Sequence, residues 1–322
     1  MSTRNTHRVK SLLRYLPSTI DRRVRVVAWL SLACQVLLIG TGGAVRLTGS
    51  GLGCPTWPRC TADSFVSTPA MGINGAIEFG NRMLTFVLAI VVVLAFLAVI
   101  RMHSQRRDLF VITLLQGLSI PAQAVLGGIT VLTGLNPYIV GAHFVISMAL
   151  VVLTTVLVYR VYNGPRGNVP LGPSWLRRLS ITAAVFAVFT VVLGVLTTGS
   201  GPHAGDASTP RNGLDSQLLE HLHSWPAYGL LGCTVVLVVA VLQLRLPGRR
   251  YFLALLGVEV LQVIVGITQA NWGLPVLLVG IHMVLAAMLT AAMTASILSL
   301  RTTSGASLGF PESATPLVSA RR

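Results

Sequence analysis

Two histidines occupy the same place in two copies of one short pattern, 139 positions apart (143 to 282). Gln123, Gly127, Gly134, Leu135, Val140, Gly141 and His143 recur as Gln262, Gly266, Gly273, Leu274, Val279, Gly280 and His282. Both copies end inside apolar runs, where an ionisable side chain is costly and is read by default as functional. The pattern reads as an internal repeat that carries a metal ligand. His223 lies at the mouth of another apolar run, three positions after Glu220. Two imidazoles facing each other from neighbouring helices of a four-helix bundle are a usual way to ligate haem iron, which makes His223 and His282 the candidate pair. The alternative is two buried histidines that bond carbonyls or line a polar pore.

The first half offers a different set. Glu78-Phe-Gly-Asn81 aligns with Glu220-His-Leu-His223, so an asparagine stands where the second half has a histidine. Glu78 and Asn81 share a helical face at i and i+3, opposite His143. An amide is a poor iron ligand, so this half is expected to hold a haem through His143 alone, leaving a coordination position open. The alternative for Glu78 and Asn81 is capping of a span at the interface. Arg46 and Arg82 lie at span ends where a guanidinium could pair with a carboxylate such as a porphyrin propionate, or simply snorkel. His203 and His221 have no repeat partner and read as structural or propionate-contacting; His7 and His103 are assigned nothing. Cys54-Pro-Thr-Trp-Pro-Arg-Cys60 places two cysteines in a loop, where a disulfide is the default in an oxidising compartment, as a structural clip or with a redox role. Cys34 and Cys233 fall in apolar runs and read as small buried groups. Glu259, one turn before Gln262, either relays protons or pairs with a polar neighbour.

These residues must be positioned by membrane-spanning helices. The 322 residues are 53% hydrophobic and 10% charged, which describes a polytopic membrane protein. Runs long enough to cross about 30 Å of hydrocarbon lie near 25–45, 83–100, 109–133, 138–160, 179–198, 225–244, 251–270 and 275–299, an all-α protein of eight spans. The net charge of +15 would suggest nucleic acid in a soluble domain, but its placement argues against such a partner. All of the 24 basic residues except Arg46, Arg59, Arg82 and Arg211 fall on one side, including Arg4, Arg8, Lys10 and Arg14 before the first span and Arg321 and Arg322 after the last. The positive-inside rule then makes both termini cytoplasmic. The first apolar run lacks a convincing cleavage site and is read as retained.

Four spans per half give the halves one orientation, related by an axis along the membrane normal. The expected organisation is a tail over 1–22, a first bundle over 23–160 with an outer loop at 47–80, a linker over 161–177, a second bundle over 178–300 with an outer loop at 199–220, and a tail over 301–322. Thr48-Gly-Ser-Gly51 echoes Thr198-Gly-Ser-Gly201 and extends the repeat.

Gly43-Ala-Val-Arg46-Leu-Thr-Gly-Ser-Gly-Leu-Gly-Cys54-Pro-Thr-Trp-Pro-Arg-Cys60, Ile77-Glu78-Phe-Gly-Asn81-Arg82, Gly199-Ser-Gly-Pro-His203-Ala-Gly-Asp206 and Gly273-Leu-Pro-Val-Leu-Leu-Val-Gly-Ile-His282 resemble the haem A synthase family, in order and over nearly the whole membrane region. The resemblance implies two four-helix bundles in a bacterial plasma membrane, with haem b held in the second by His223 and His282. It implies haem O as substrate in the first, its C8 methyl oxidised to a formyl by successive hydroxylation, with Glu78 as the matching glutamate and Cys54 and Cys60 as the matching cysteine pair. Haem O synthase and an electron donor are the implied partners, beside membrane lipid and a possible homo-oligomer. One departure matters: the family usually has histidine where this chain has Asn81. Either substrate is bound through His143 alone, or Asn81 orients a water or Glu78.

Two other classes compete. A haem carrier or electron-transfer cytochrome would have two equivalent sites, which Asn81 argues against. A transporter built on a repeat would explain the spans and Glu259 but not the histidine register or the cysteine loop.

Overall fold

A computed structural model describes residues 16–303; Arg4, His7, Arg8, Lys10, Arg14, Arg321 and Arg322 lie outside the described residues. Among the described residues, eight α-helices run in order: α1 Arg22–Leu47, α2 Gly72–Ile100, α3 Arg107–Leu132, α4 Pro137–Asn163, α5 Ser174–Ser200, α6 Ser216–Gln243, α7 Arg249–Asn271 and α8 Val276–Leu298. Each belongs to a helical segment long and apolar enough to cross a membrane, so the expected eight-span, all-α class holds. Two short strands, β1 Arg166–Pro170 and β2 Arg301–Thr303, pair antiparallel with Arg166 opposite Thr303. The sequence showed these only as a linker and a tail. An isolated two-stranded ribbon is marginal, and this one is set between the ends of α4, α5 and α8.

Local chemistry sets the helix starts. Asp21 accepts from the Val24 amide at 3.1 Å, Asn136 from Tyr138 and Ile139, and Asp215 from Leu218 at 2.9 Å, each satisfying amides that a first turn leaves unpaired. Pro137 takes the first position of α4, where its missing N–H costs nothing. Two helices begin well before the apolar runs that announced them. The sequence placed the second span from 83 and the sixth from 225, with outer loops reaching 80 and 220. The structure starts α2 at Gly72 and α6 at Ser216, and the extra polar turns carry Glu78, Asn81 and His223. Apolar windows register hydrocarbon thickness and miss helical turns that rise above it.

Helix α1 packs on α2 and α4, and α3 packs on the same two; α5 and α7 each pack on α6 and α8. The two sets meet through α1 with α8, α4 with α8 and α4 with α5. Small residues let these helices approach: a Cβ on Gly43 would stand 2.9 Å from Met283 Sδ, and one on Gly141 2.5 Å from Val195 Cγ1. In lipid such close packing is itself the cohesive force, because the surrounding tails are as apolar as the side chains.

The tightest apolar packing lies at one end of the molecule. Val24, Ala28, Val99, Met102, Leu109, Val151 and Leu157 cluster in one set, and Leu176, Val241, Phe252, Leu255 and Leu300 in the other. These sit toward the starts of α1, α3, α5 and α7 and the ends of the other four helices. The same end carries Asp108, paired with Arg106 at 3.0 Å and Arg160 at 3.5 Å. His143, His223, His282 and Glu78 lie toward the opposite, loop-bearing end.

Candidate functional site

His223 stands on the second turn of α6, and its Nδ1 donates to the Thr190 carbonyl of α5 at 2.9 Å. A carbonyl only accepts, so this bond puts the proton on Nδ1 and leaves the Nε2 lone pair free for a metal. The ring fits against α5 because residue 194 is glycine: a Cβ there would lie 2.8 Å from His223 Cε1. His282 comes from α8. Its carbonyl accepts from Gln262 Nε2 of α7 at 3.1 Å, and its ring is backed by Gly266, where a Cβ would lie 3.3 Å from Cε1. Its Nδ1 is buried without a hydrogen-bond partner.

The two ring centroids lie 6.2 Å apart, with the planes inclined edge-on at 66°. Two imidazoles bound through nitrogen to opposite faces of one iron, at about 2 Å per bond, stand roughly 6–6.5 Å apart centre to centre. The centroid spacing of the pair matches that of two imidazoles on one iron, and His223 has the outer hydrogen bond that would fix such a ring.

The first half has the same local architecture around His143. Gln123 Nε2 donates to the His143 carbonyl at 3.3 Å and to Ser147 Oγ at 2.7 Å, and a Cβ on Gly127 would lie 3.4 Å from His143 Cε1. The turns that lead into α4 and α8 also match: Gly134 and Leu135 have φ of 61° and 60°, Gly273 and Leu274 of 72° and 59°. A leucine in the left-handed region is uncommon, and both turns place one directly after the glycine, eight residues before the histidine. The His143 Nδ1, like that of His282, is buried without a hydrogen-bond partner.

Opposite elements differ. Asn81 accepts from Thr41 Oγ1 of α1 at 2.8 Å. Glu78 is 5% exposed and lies six residues into α2, so neither residue caps the helix, which corrects that alternative. Its Oε2 accepts from the Cys54 amide at 2.6 Å, and its Oε1 pairs with Arg82 at 2.5 Å. Arg82 in turn donates to the carbonyls of Cys54 at 3.0 Å, Thr56 at 3.2 Å and Arg59 at 3.3 Å. Cys54 and Cys60 form a disulfide. Glu78 and Arg82 thus tie the disulfide-closed loop to one face of α2, and its Trp57 indole lies on the bare backbone of Gly128 in α3. The roles of Trp57 and of Glu78 as a loop anchor were not legible in the sequence; only the spacing of Glu78 and Arg82, one helical turn apart, hinted at the pair.

Arg46 joins the halves. Its Nε donates to the His203 carbonyl at 2.6 Å and its Nη2 to that of Thr198 at 2.8 Å, while His203 Nε2 donates to the Leu274 carbonyl at 2.9 Å. His203 thus uses its carbonyl and Nε2 in bonds between loops and helices, whereas His221 and Glu220 are exposed. Asp206, in the loop outside the spans, accepts from the Ser208 hydroxyl and amide, and these hold its carboxyl below the ordinary carboxylate range. Glu259 is buried, with Oε1 accepting from Thr234 at 2.8 Å and Oε2 unpartnered. Cys34 and Cys233 are free and partly exposed rather than buried.

Eight long apolar helices, with a disulfide-closed loop at one end, define a multi-pass membrane protein. Residues 25–294 match the COX15-CtaA family, Cytochrome oxidase assembly protein, and the chain belongs to that family. It is 27% identical over 281 residues to "Heme A synthase" of Halalkalibacterium halodurans, covering 84% of this chain and 92% of that protein. It is also 32% identical over 182 residues to "Heme A synthase" of Lysinibacillus sphaericus, covering 53% of this chain and 58% of that protein. The Listeria welshimeri "Heme A synthase" is 34% identical over 143 residues, 43% of this chain and 46% of that protein.

Proposed function

We propose that this chain is a haem A synthase, an oxidoreductase that converts the C8 methyl of haem O to a formyl group: two successive hydroxylations, each drawing on an external oxidant, give a geminal diol that loses water, with a bound haem b to pass electrons. The observation that carries this reading is the His223 and His282 pair, spaced for one iron, beside a second, matching histidine environment at His143 that lacks an opposing imidazole. The contacts of α1–α4 and of α5–α8 support two four-helix bundles. The matching Gly-Leu turns and glutamine bonds support an internal repeat.

Haem b, held by His223 and His282, supplies one-electron chemistry that no side chain here provides. Thr190 and Gly194 fix the His223 ring; Gln262 and Gly266 fix the backbone and ring of His282. In the first half His143 is the contact to substrate iron, and Asn81, engaged with Thr41, is not a ligand. Glu78 holds the Cys54 amide and Arg82, and so keeps a paired carboxylate and guanidinium beside the disulfide loop of the first half, where the carboxylate could take up protons released as the methyl group is oxidised. Arg46 and Arg82 would hold propionates with the N–H donors left beyond their present carbonyl and carboxylate bonds. The basic end faces the cytoplasm of a bacterial plasma membrane by the positive-inside rule, which puts both haem sites toward the outer surface.

The test is production of the chain in membranes supplied with haem O but lacking haem A. Haem A appearing with the intact chain, and not with His282→Ala, supports the reading. Persistence of haem O alone contradicts it.

A further inference from the structure

We infer that Trp57 is a wall of the first-half haem site, a positioning residue that closes it toward the outer surface. The inference rests on the reading of His143 as the contact to substrate haem. Its geometric basis is the adjacency of two glycines on α3: Gly127 backs the His143 ring, with a Cβ there only 3.4 Å from Cε1, and Gly128, the next residue, is covered by the Trp57 indole. Gly128 is buried and Trp57 half-buried. Successive helix residues point about 100° apart, so α3 turns Gly127 toward the His143 ring on α4 and Gly128 toward the loop held on α2, and the indole and the imidazole flank neighbouring faces of one turn.

The loop is built to hold it there. The disulfide closes residues 54–60 into a ring, Glu78 fixes its first amide, and Arg82 gathers the carbonyls of Cys54, Thr56 and Arg59. Thr56 Oγ1 donates to the Arg59 carbonyl at 2.8 Å, tightening the same turn. With this many bonds converging on the residues around it, Trp57 has one position against α3, which only a residue without a side chain permits at 128. A broad apolar indole at the mouth suits a ligand that is flat and apolar, and it excludes water from a reacting methyl group, as closed active sites require.

The test measures first-site haem, as haem O plus its oxidised products, per haem b in purified protein. Trp57→Ala should lower that ratio at least threefold with haem b unchanged. Gly128→Ala should do the same by displacing the indole, while Trp57→Phe should keep most of the ratio. The Ala variants should also be nicked faster by trypsin after Arg59. Wild-type ratios in both Trp57→Ala and Gly128→Ala, with His143→Ala losing first-site haem, overturn the wall alone. A wild-type ratio in His143→Ala overturns the reading of that site, and the wall with it. Should Trp57→Ala lose haem b as well, Gly128→Ala decides by the same ratio.

Discussion

Replacing Glu78 by Ala tests the anchoring of the disulfide loop. The side chain is 6% exposed and its Arg82 partner 20%. Breaking a buried ion pair from one side costs about 3–5 kcal/mol, but Arg82 is partly solvated and keeps its bonds to three carbonyls, which lowers that cost. The Cys54 amide loses its acceptor in a buried setting, worth about 1–2 kcal/mol. Together about 2–3 kcal/mol of loop closure is lost, which raises the open population about 30- to 150-fold at 1.4 kcal/mol per decade. Where opening is fast, proteolysis follows that population. Trypsin cleavage after exposed Arg59 in isolated membranes reads it directly, since the disulfide holds the cut ends together until reduction. Glu78→Gln keeps an oxygen for the Cys54 amide and should raise the rate only about tenfold, a loss near 1.4 kcal/mol. Nicking of Glu78→Ala at the wild-type rate would refute the anchoring.

Three further outcomes follow from the geometry. Gly194→Val puts a methyl-bearing Cβ within 2.8 Å of the His223 ring position, so the low-spin absorption of the second-half haem should be lost or shifted while the protein stays membrane-inserted; an unchanged spectrum contradicts the α5 cradle. Asn81→Ala loses only a bond to Thr41 and should convert haem O at a rate within severalfold of wild type, whereas His143→Ala should abolish conversion with haem b still bound; equal loss in both would make Asn81 a ligand. Mass mapping of a non-reduced digest should join Cys54 to Cys60 and leave Cys34 and Cys233 free, and two free thiols at 54 and 60 in protein isolated without reductant would count against the loop as described.

The spans were legible because hydrocarbon thickness imposes a run of apolar residues that nothing else in a protein of this size requires. The histidine register was legible because both copies preserve the glycines and glutamine around the ring, and the structure gives each a physical role: Gly127 and Gly266 make room, Gln123 and Gln262 bond the histidine carbonyl. The helical face of Glu78 and Asn81 was legible from its i, i+3 spacing, but the starts of α2 at Gly72 and α6 at Ser216 were not, since the residues there have the composition of a loop and only the continuing backbone bonds make them helical. Arg46 with His203 and Trp57 with Gly128 are contacts between segments distant in sequence. One chain carries no signal of such pairs, because an arginine at an interface and a glycine in a helix each have commonplace explanations. The strand pair of residues 166–170 with 301–303 joins segments equally distant in sequence and left no signal in it.

The account's central claim is that two sites of one chain hold two haems in different roles. Chromatography of the porphyrins extracted from wild type, His143→Ala, His223→Ala and His282→Ala tests it most directly. Wild type should yield haem b together with haem O or haem A. His223→Ala and His282→Ala should each lose haem b and its bis-imidazole spectrum, and His143→Ala should lose the substrate haem while keeping haem b. Haem b retained with an unchanged spectrum in both second-half variants, or a single haem type lost equally in all three, would contradict the account.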